Sequence, residues 1–225
     1  MHVAAVVFDL YGTILTIESM RARVAAAGIP EADVFVASWR RKQLEYTFLT
    51  SIAQAYRDFD ELTALALEQT SAQYGVTLDV ISRTALVQAW RTMPAYGDVE
   101  PALRALGAWN VPLAVLTNGT PVSANAALHN AGIRGLLADV LSVEAVRAYK
   151  PDPRVYALAT TRFSCAPREI VFVSSNAWDA WGASNFGFRV AWCNRSNAAP
   201  ESLVPAPETM ITGLHELGEL IERIA

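Results

Sequence analysis

Five short apolar runs are the feature of this sequence that most restricts its fold. Each run has the length of one strand, is rich in Val, Ile, Leu or aromatic residues, and is typical of a strand buried on both faces. The runs lie at residues 3–10, 112–116, 138–143, 170–173 and 189–192. Helical patterns accompany the last four runs, at residues 98–109, 121–131, 152–163 and 177–186. This alternation predicts an α/β fold with a parallel sheet covered by helices on both faces.

The interval between the first two runs departs from this alternation, because it contains almost no strand pattern. Amphipathic helical patterns occupy residues 32–51, 60–74 and 78–90. This is too much chain for a single crossover helix. We therefore predict a helical cap domain at 16–95, inserted into a Rossmann-like core domain formed by 1–15 and 96–225. The Pro- and Ala-rich stretch 197–207 predicts a loop, and a closing helix is expected at 212–224.

Composition excludes several classes of function. Hydrophobic residues make up 52% of the chain and charged residues 18%, which favours a sizeable core over disorder. The formal net charge of −4 argues against non-specific nucleic-acid binding and against docking on an anionic membrane. The sequence shows neither a signal-peptide pattern nor an apolar stretch of membrane-spanning length. Cys165 and Cys193 lack the spacing of a zinc site, so we expect free thiols, no metal and a cytoplasmic location.

Polar side chains follow four of the predicted strands. In open α/β sheets, ligands bind beyond the carboxyl ends of the strands. The segments there read FDLYGT, LTNGT, AYKPDP and VSSNAWD. They supply Asp9, Tyr11, Thr13, Thr117, Asn118, Lys150, Ser174, Ser175, Asn176 and Asp179. Four segments that are far apart in the sequence would therefore converge on one crevice.

Each of these residues also has a purely structural interpretation when it is taken alone. Asp9, Thr117 and Asn118 precede glycine and suit turns. Lys150 could be a solvated lysine, and Asp179 could be a first-turn acid favoured by the helix dipole. Taken together, a carboxylate that can act as a nucleophile, hydroxyls, a lysine and a second carboxylate at successive strand ends are hard to attribute to turns. We therefore predict a catalytic crevice with Asp9 as its candidate nucleophile.

These motifs resemble the haloacid dehalogenase superfamily along the whole chain. The phosphatase branch of that superfamily carries an Asp two residues after the nucleophile and acidic magnesium ligands after the fourth strand. This chain has Tyr11 at the first position and Ser174, Ser175 and Asn176 at the second. An alkoxide needs a general acid to leave and a phosphoryl group needs charge neutralisation, whereas a halide leaves without a proton. The departures therefore favour carbon–halogen cleavage without a metal.

The strings FDLYGT, WRRKQLEYTFL, LTNG, YKPDPRVY and SSNAWD resemble one branch, the L-2-haloacid dehalogenases. The resemblance implies hydrolysis of short-chain (S)-2-haloacids to (R)-2-hydroxyacids and halide, without a cofactor. Asp9 would attack C2 and form an ester, which water would then hydrolyse. Lys150 would keep Asp9 ionised, and Asp179, helped by Asn176, would orient or activate the water. Hydrogen-bonding support for these carboxylates is expected from Thr13, Ser174 and Tyr156.

The same resemblance implies a substrate pocket. Arg40 and Asn118 would hold the halide, and Thr117 with backbone N–H groups of the Tyr11 turn would hold the substrate carboxylate. The apolar wall would consist of Tyr11, Leu44, Phe59 and Trp178. Core packing is an equally good interpretation of Leu44 and Phe59.

Two other functions stay open at this point. One is a phosphatase or phosphonatase of the same superfamily, and the other is a non-catalytic binding protein on the same fold. The expected partners are a small haloacid and halide ion. The apolar faces of the cap helices would also allow a homodimer.

Overall fold

The computed structural model describes residues 2–224, in which one six-stranded sheet lies between helices. The strands are β1 (Ala5–Phe8), β2 (Leu113–Thr117), β3 (Asp139–Ser142), β4 (Ile170–Ser174), β5 (Arg189–Cys193) and β6 (Thr209–Ile211). All neighbouring strands pair in parallel, in the order β3-β2-β1-β4-β5-β6. The predicted α/β fold with a parallel sheet is confirmed. Its five apolar runs correspond to β1–β5, while the edge strand β6 was missed.

Nine α-helices accompany the strands within the described residues. They are α1 (Ser19–Ala26), α2 (Ala32–Ile52), α3 (Phe59–Gln73), α4 (Val80–Gln88), α5 (Val99–Gly107), α6 (Pro121–Asn130), α7 (Pro153–Phe163), α8 (Ala177–Phe186) and α9 (Leu217–Ile224). Short 3₁₀ turns lie at Ala89–Thr92, Arg134–Leu136, Val143–Ala145, Pro167–Glu169 and Leu214–Glu216. Helix α1 was not predicted. In this part of the chain, no helix is both long and apolar enough to cross a membrane.

Local sequence signals fix where several helices begin. The side chains of Asp58 and Asp79 accept hydrogen bonds from backbone N–H groups in the first turns of α3 and α4. Helix α6 begins with Thr120 as its cap and a proline in its first turn, and α7 begins in the same way after Asp152. These side chains satisfy N–H groups that have no partner within the helix, and the proline has no N–H to satisfy.

Strand β1 lies at the centre of the sheet, between β2 and β4. Phe8, its last residue, pairs with Val115 on one side and with Val173 on the other. After β1 the chain adds β2 and β3 on one side of it, and then β4, β5 and β6 on the other side. The strand order therefore reverses at β1, and open α/β sheets bind ligands at such a switch point. The residue that follows Phe8 is Asp9, so the fold places this carboxylate at the crevice.

The chain leaves and re-enters the sheet at one place between β1 and β2. Leu15 forms an antiparallel bridge with Ala95. Thr16 N–H donates to the Pro94 carbonyl at 2.9 Å. Residues 16–95, which contain α1–α4, are called the helical insertion below. Their separation from the rest of the chain as a cap domain stays a prediction.

Gly182 in α8 marks the closest packing in this part of the core. A Cβ added there would lie 2.5 Å from Tyr156 Oη and 2.6 Å from Pro151 Cβ. We predict that Gly182→Ala lowers the free energy of unfolding by about 1–3 kcal/mol, because the extra methyl group must displace these atoms. Urea unfolding measures the change. Gly218→Ala in α9 is the control, since nothing lies within 4 Å of its Cβ position. An equal loss in both variants would contradict the packing argument.

Candidate active site

The Asp9 carboxylate is held by three side chains. Oδ1 accepts a hydrogen bond from Lys150 Nζ at 3.0 Å, and Oδ2 accepts from Thr13 Oγ1 at 3.1 Å and from Asn176 Nδ2 at 2.8 Å. Thr13 reaches back to Asp9 because the chain turns at Gly12, whose φ of 90° is unfavourable for other residues. Asp9 remains 7% exposed. Its carboxylate is therefore fixed in orientation but still reachable from the crevice.

Lys150 connects the two carboxylates of the site. Its ammonium group lies 3.0 Å from Asp9 Oδ1 and 2.8 Å from Asp179 Oδ2. The Lys150 side chain is buried, and Nζ lies 5.0 Å from the centroid of the Phe172 ring. Burial alone would lower the pKa of Lys150, but the charges of Asp179 and Asp9 outweigh it and raise the pKa above its ordinary value. Lys150 therefore carries its charge in the folded protein at neutral pH.

Asp179 is fully buried in the first turn of α8. Besides Lys150, it has Tyr156 as a partner, whose hydroxyl donates to Oδ1 at 2.8 Å. Burial raises the pKa of Asp179 above its ordinary value, and the charge of Lys150 and the hydrogen bond from Tyr156 offset this only in part. The raised pKa makes Asp179 a stronger base than an ordinary carboxylate, so it is suited to accepting a proton from a nearby group.

Two residues at the carboxyl end of β4 have partners that the sequence hypothesis did not foresee. Ser174 was expected to support the carboxylates by hydrogen bonding, and that role stays a prediction. Its Oγ accepts from Asn176 N–H at 3.2 Å, a local bond that hydroxyl side chains readily form. Asn176 was grouped with Asp179, but its side chain donates to Asp9 and, at 3.3 Å, to the carbonyl of Tyr11. Ser174 thus stabilises the loop that presents Asn176 to Asp9.

Arg40 extends from α2, on the helical insertion. Nη1 donates to Gln43 Oε1 at 2.5 Å, and Gln43 in turn donates to Thr63 Oγ1 at 2.6 Å. The guanidinium also lies 5.7 Å from the ring centroid of Trp90. Burial lowers the pKa of Arg40 to about 10, although the charge of Asp9 opposes this shift. Arg40 is thus a partly desolvated cation near Asp9, and it keeps its charge at neutral pH.

Tyr11 forms one wall beside Asp9. Its ring stacks on Phe59, with centroids 5.9 Å apart, and meets Trp90 edge-on at 5.5 Å. Gly119 packs so closely that a Cβ there would lie 3.1 Å from the Tyr11 ring. Burial, followed by the charge of Asp60, raises the pKa of Tyr11 well above its ordinary value. Tyr11 therefore stays protonated at neutral pH and is a far weaker acid than a carboxyl group at this position would be.

The remaining predicted residues occupy several environments. Thr117 Oγ1 accepts from Gly119 N–H at 3.0 Å, which leaves its own hydroxyl proton free to donate. Asn118 Oδ1 accepts from Lys150 N–H at 3.2 Å. Leu44 is half-buried on α2, one turn after Arg40. Trp178 meets Phe48 edge-on at 5.4 Å and lines a cavity of about 560 Å³. The wall of this cavity includes Phe48, Tyr149, Lys150, Pro151, Trp181 and Leu203.

Sequence reasoning missed Gln43, Trp90 and Phe48. A signal existed for Gln43, which lies one helical turn after Arg40 and can therefore reach it. Phe48 shares a helical face with Leu44 four residues earlier. Trp90 carried no signal beyond its apolar character. Within residues 2–224, no group of three or more His, Cys, Asp or Glu side chains is arranged to hold a metal ion.

Comparisons with known proteins identify the family of this chain. A family model described as haloacid dehalogenase-like hydrolase matches residues 3–187. The (S)-2-haloacid dehalogenase of Pseudomonas sp. (strain YL) is 38% identical over 224 residues, which cover 100% of this chain and 97% of that protein. The crystal structure of the L-2-haloacid dehalogenase RSc1362 has a TM-score of 0.96 at 35% identity, covering 99% of this chain and 100% of that one.

A third match has a small molecule covalently bound. It is an L-2-haloacid dehalogenase from Xanthobacter autotrophicus with chloropropionic acid covalently bound, with a TM-score of 0.91 at 32% identity. The match covers 99% of this chain and 100% of that chain. The chain therefore belongs to the haloacid dehalogenase-like hydrolases and, within them, to the L-2-haloacid dehalogenase family.

Lys150→Met tests the role of the buried ammonium in stability. We predict a loss of about 3–5 kcal/mol in the free energy of unfolding at neutral pH, because Asp179 is then buried as an unpaired charge. The wild-type contribution of Lys150 is present at neutral pH and is lost only as pH rises through its raised folded-state pKa. In the variant the pKa of Asp179 rises further, so stability should return as pH falls.

Urea unfolding of wild type and variant between about pH 8 and about pH 5 checks this prediction. The difference between the two proteins should shrink toward acid pH. A difference that does not vary with pH would show that the lost stability comes from packing and not from charge.

Proposed function

We propose that this protein hydrolyses short-chain (S)-2-haloacids to (R)-2-hydroxyacids and halide, through an ester formed on Asp9 and without a metal. The observation that carries the proposal is the Asp9 carboxylate at the end of β1, oriented by Lys150, Thr13 and Asn176. The matches to (S)-2-haloacid dehalogenases, and to one with chloropropionic acid covalently bound, support the same reaction.

In the first step, an Asp9 carboxylate oxygen attacks C2 of the substrate from the side opposite the halogen. The new C–O bond forms as the carbon–halogen bond breaks, so the halide leaves with its electron pair and C2 inverts. Arg40 and Asn118 are proposed to receive the halide. No proton is needed for this leaving group, which agrees with a buried tyrosine at position 11.

In the second step, water attacks the carbonyl carbon of the Asp9 ester. Asp179 accepts a proton from the water, and Lys150 stabilises the oxyanion that develops on the carbonyl oxygen. Collapse of this intermediate breaks the bond to the product oxygen, which takes the proton. Asp9 is left as a carboxyl group with one oxygen from water. It releases the remaining water-derived proton to solvent to regenerate the carboxylate, and C2 keeps its inverted configuration.

The side chains around Asp9 support a metal-independent reaction. The Lys150 ammonium already lies between the two carboxylates, where it neutralises charge that a cation would otherwise balance. Tyr11, Ser174, Ser175 and Asn176 offer no additional carboxylate. These residues instead suit a substrate that carries a single negative charge.

Substrate binding is proposed to use both sides of the crevice. The hydroxyl of Thr117 and backbone N–H groups of the Tyr11 turn would hold the substrate carboxylate, and Tyr156 and Thr13 would keep the two enzymic carboxylates in place. Tyr11, Phe59, Leu44 and Trp178 are proposed to exclude water around C2. We also propose that the helical insertion, residues 16–95, is a cap domain that supplies Arg40 and Leu44 to the site.

Asp9→Asn should reduce halide release from L-2-chloropropionate by at least roughly a thousandfold, because the amide is a poor nucleophile. Asp152→Asn, which changes a carboxylate at the start of α7, should retain activity. In heavy-oxygen water and with enzyme in excess, wild type should place label on Asp9 and none in the first-turnover product. EDTA should leave the rate unchanged. Full activity of Asp9→Asn would refute the scheme, and inhibition by EDTA would refute metal independence.

Tyr156→Phe tests Asp179 as the base. The hydroxyl of Tyr156 lowers the pKa of Asp179, so its removal should raise that pKa and move the acidic limb of kcat to higher pH. We expect a shift of roughly half a unit to one unit, the equivalent of one hydrogen bond. The pH profile of halide release measures the shift. An unchanged acidic limb with a lower plateau would assign the limb to another group.

A further inference from the structure

A polar cluster joins the helical insertion to the start of α6 beside Tyr11. Asp60 Oδ2 accepts from Arg91 Nη2 at 3.1 Å, from Thr120 Oγ1 at 3.1 Å and from Ser123 Oγ at 2.6 Å. Arg91 Nε also donates to Ser123 Oγ at 2.8 Å. Asp60 and Arg91 lie on the insertion, whereas Thr120 and Ser123 lie at the start of α6. We call these four residues the Asp60 cluster.

Three members of the cluster, Asp60, Arg91 and Thr120, each follow directly after a residue that packs against the Tyr11 ring. Phe59, before Asp60, stacks on the Tyr11 ring, and Trp90, before Arg91, meets the ring edge-on. Gly119, before Thr120, leaves only 3.1 Å between a would-be Cβ and the ring. The three residues that pack against Tyr11 are therefore each followed by a residue of the cluster. Those cluster residues are Asp60 itself and two side chains that donate hydrogen bonds to its Oδ2, Arg91 and Thr120.

We infer that Asp60 is a positioning residue, which fixes Phe59, Trp90 and Gly119 around Tyr11 and thereby sets the shape of the pocket beside Asp9. This inference rests on the proposed dehalogenase function. Trp90 lies under Arg40 as well, so the same oxygen indirectly places the cation that faces the leaving group. Asp60 does not touch the reacting atoms in this scheme.

The cluster differs from an ordinary surface ion pair in its geometry. Asp60 and Arg91 each have a third of the side chain exposed, so their ionic attraction alone is partly screened. Ser123, however, is buried and donates the shortest bond of the cluster. Asp60 and Arg91 both lie on the insertion, so their ion pair alone joins no other part of the chain. The hydrogen bonds from Thr120 and Ser123 connect this pair to α6. Loss of the carboxylate should therefore loosen contacts across the crevice, and not only within the insertion.

The experiment compares Asp60→Ala and Ser123→Ala with Glu68→Gln as the matched control. Glu68 also lies on α3 and pairs with an arginine of the insertion, Arg83 on α4, but both side chains are exposed and their ion pair joins two helices of the insertion. We expect Asp60→Ala to lower kcat/KM for L-2-chloropropionate by about 10-fold to 100-fold, mostly through a higher KM, because the pocket walls are misplaced. Ser123→Ala should give a smaller loss, and Glu68→Gln should stay within about twofold.

A second measurement, hydrogen exchange of the backbone at residues 9–15, does not depend on activity. Exchange there should rise in Asp60→Ala and Ser123→Ala, and it should match wild type in Glu68→Gln. If wild type is active and both cluster variants keep kcat/KM within twofold, the inference is overturned. If wild type releases no halide, the proposed function fails; unchanged exchange at 9–15 would then overturn the inference as well. Should Asp60→Ala not fold, Ser123→Ala and Asp60→Asn decide the question.

Discussion

The arrangement of this site depends on one buried ammonium between two carboxylates. Lys150 Nζ lies 3.0 Å from Asp9 Oδ1 and 2.8 Å from Asp179 Oδ2. The three residues follow three different strands, β1, β3 and β4. Removing charges from water is costly unless each is paired and hydrogen-bonded. Thr13 and Asn176 complete the partners of Asp9, and Tyr156 completes those of Asp179. The polar residues around Asp9 and Asp179 are thus required by the same charged groups on which the proposed chemistry depends.

The topology of the sheet explains why these segments meet. Strand β1 has β2 and β4 as neighbours, so the loops that carry Asp9, Asn118 and Asn176 leave the sheet at the same edge. The insertion departs directly after this loop and returns beside it through the pairing of Leu15 and Ala95. The insertion therefore begins and ends beside the crevice, and α2 within it brings Arg40 close enough for the charge of Asp9 to act on its guanidinium.

The sequence predicted those features that leave a repeating apolar pattern or that follow from the order of the strands. Apolar runs gave five strands, but β6 has three residues, one of them the exposed Met210, and therefore no apolar run. The convergence of Asp9, Lys150 and Asp179 followed from strand ends alone. The partners of Ser174 and Asn176 depended on the direction of one loop, which no pattern records. The Asp60 cluster joins residues 31 to 63 positions apart and has no sequence signal.

The charges of the site also suggest how the two proposed steps follow one another. Asp9, while ionised, is one of the causes that raise the pKa of Asp179, whereas Lys150 lowers it. Ester formation would convert Asp9 into a neutral group, and this contribution would disappear. Lys150 would then have Asp179 as its only carboxylate partner within this triad. The pKa of Asp179 should therefore fall when the ester forms, so that it is ionised in the step in which a base is needed. The loss of charge on Asp9 in the first step thus couples electrostatically to the base of the second step.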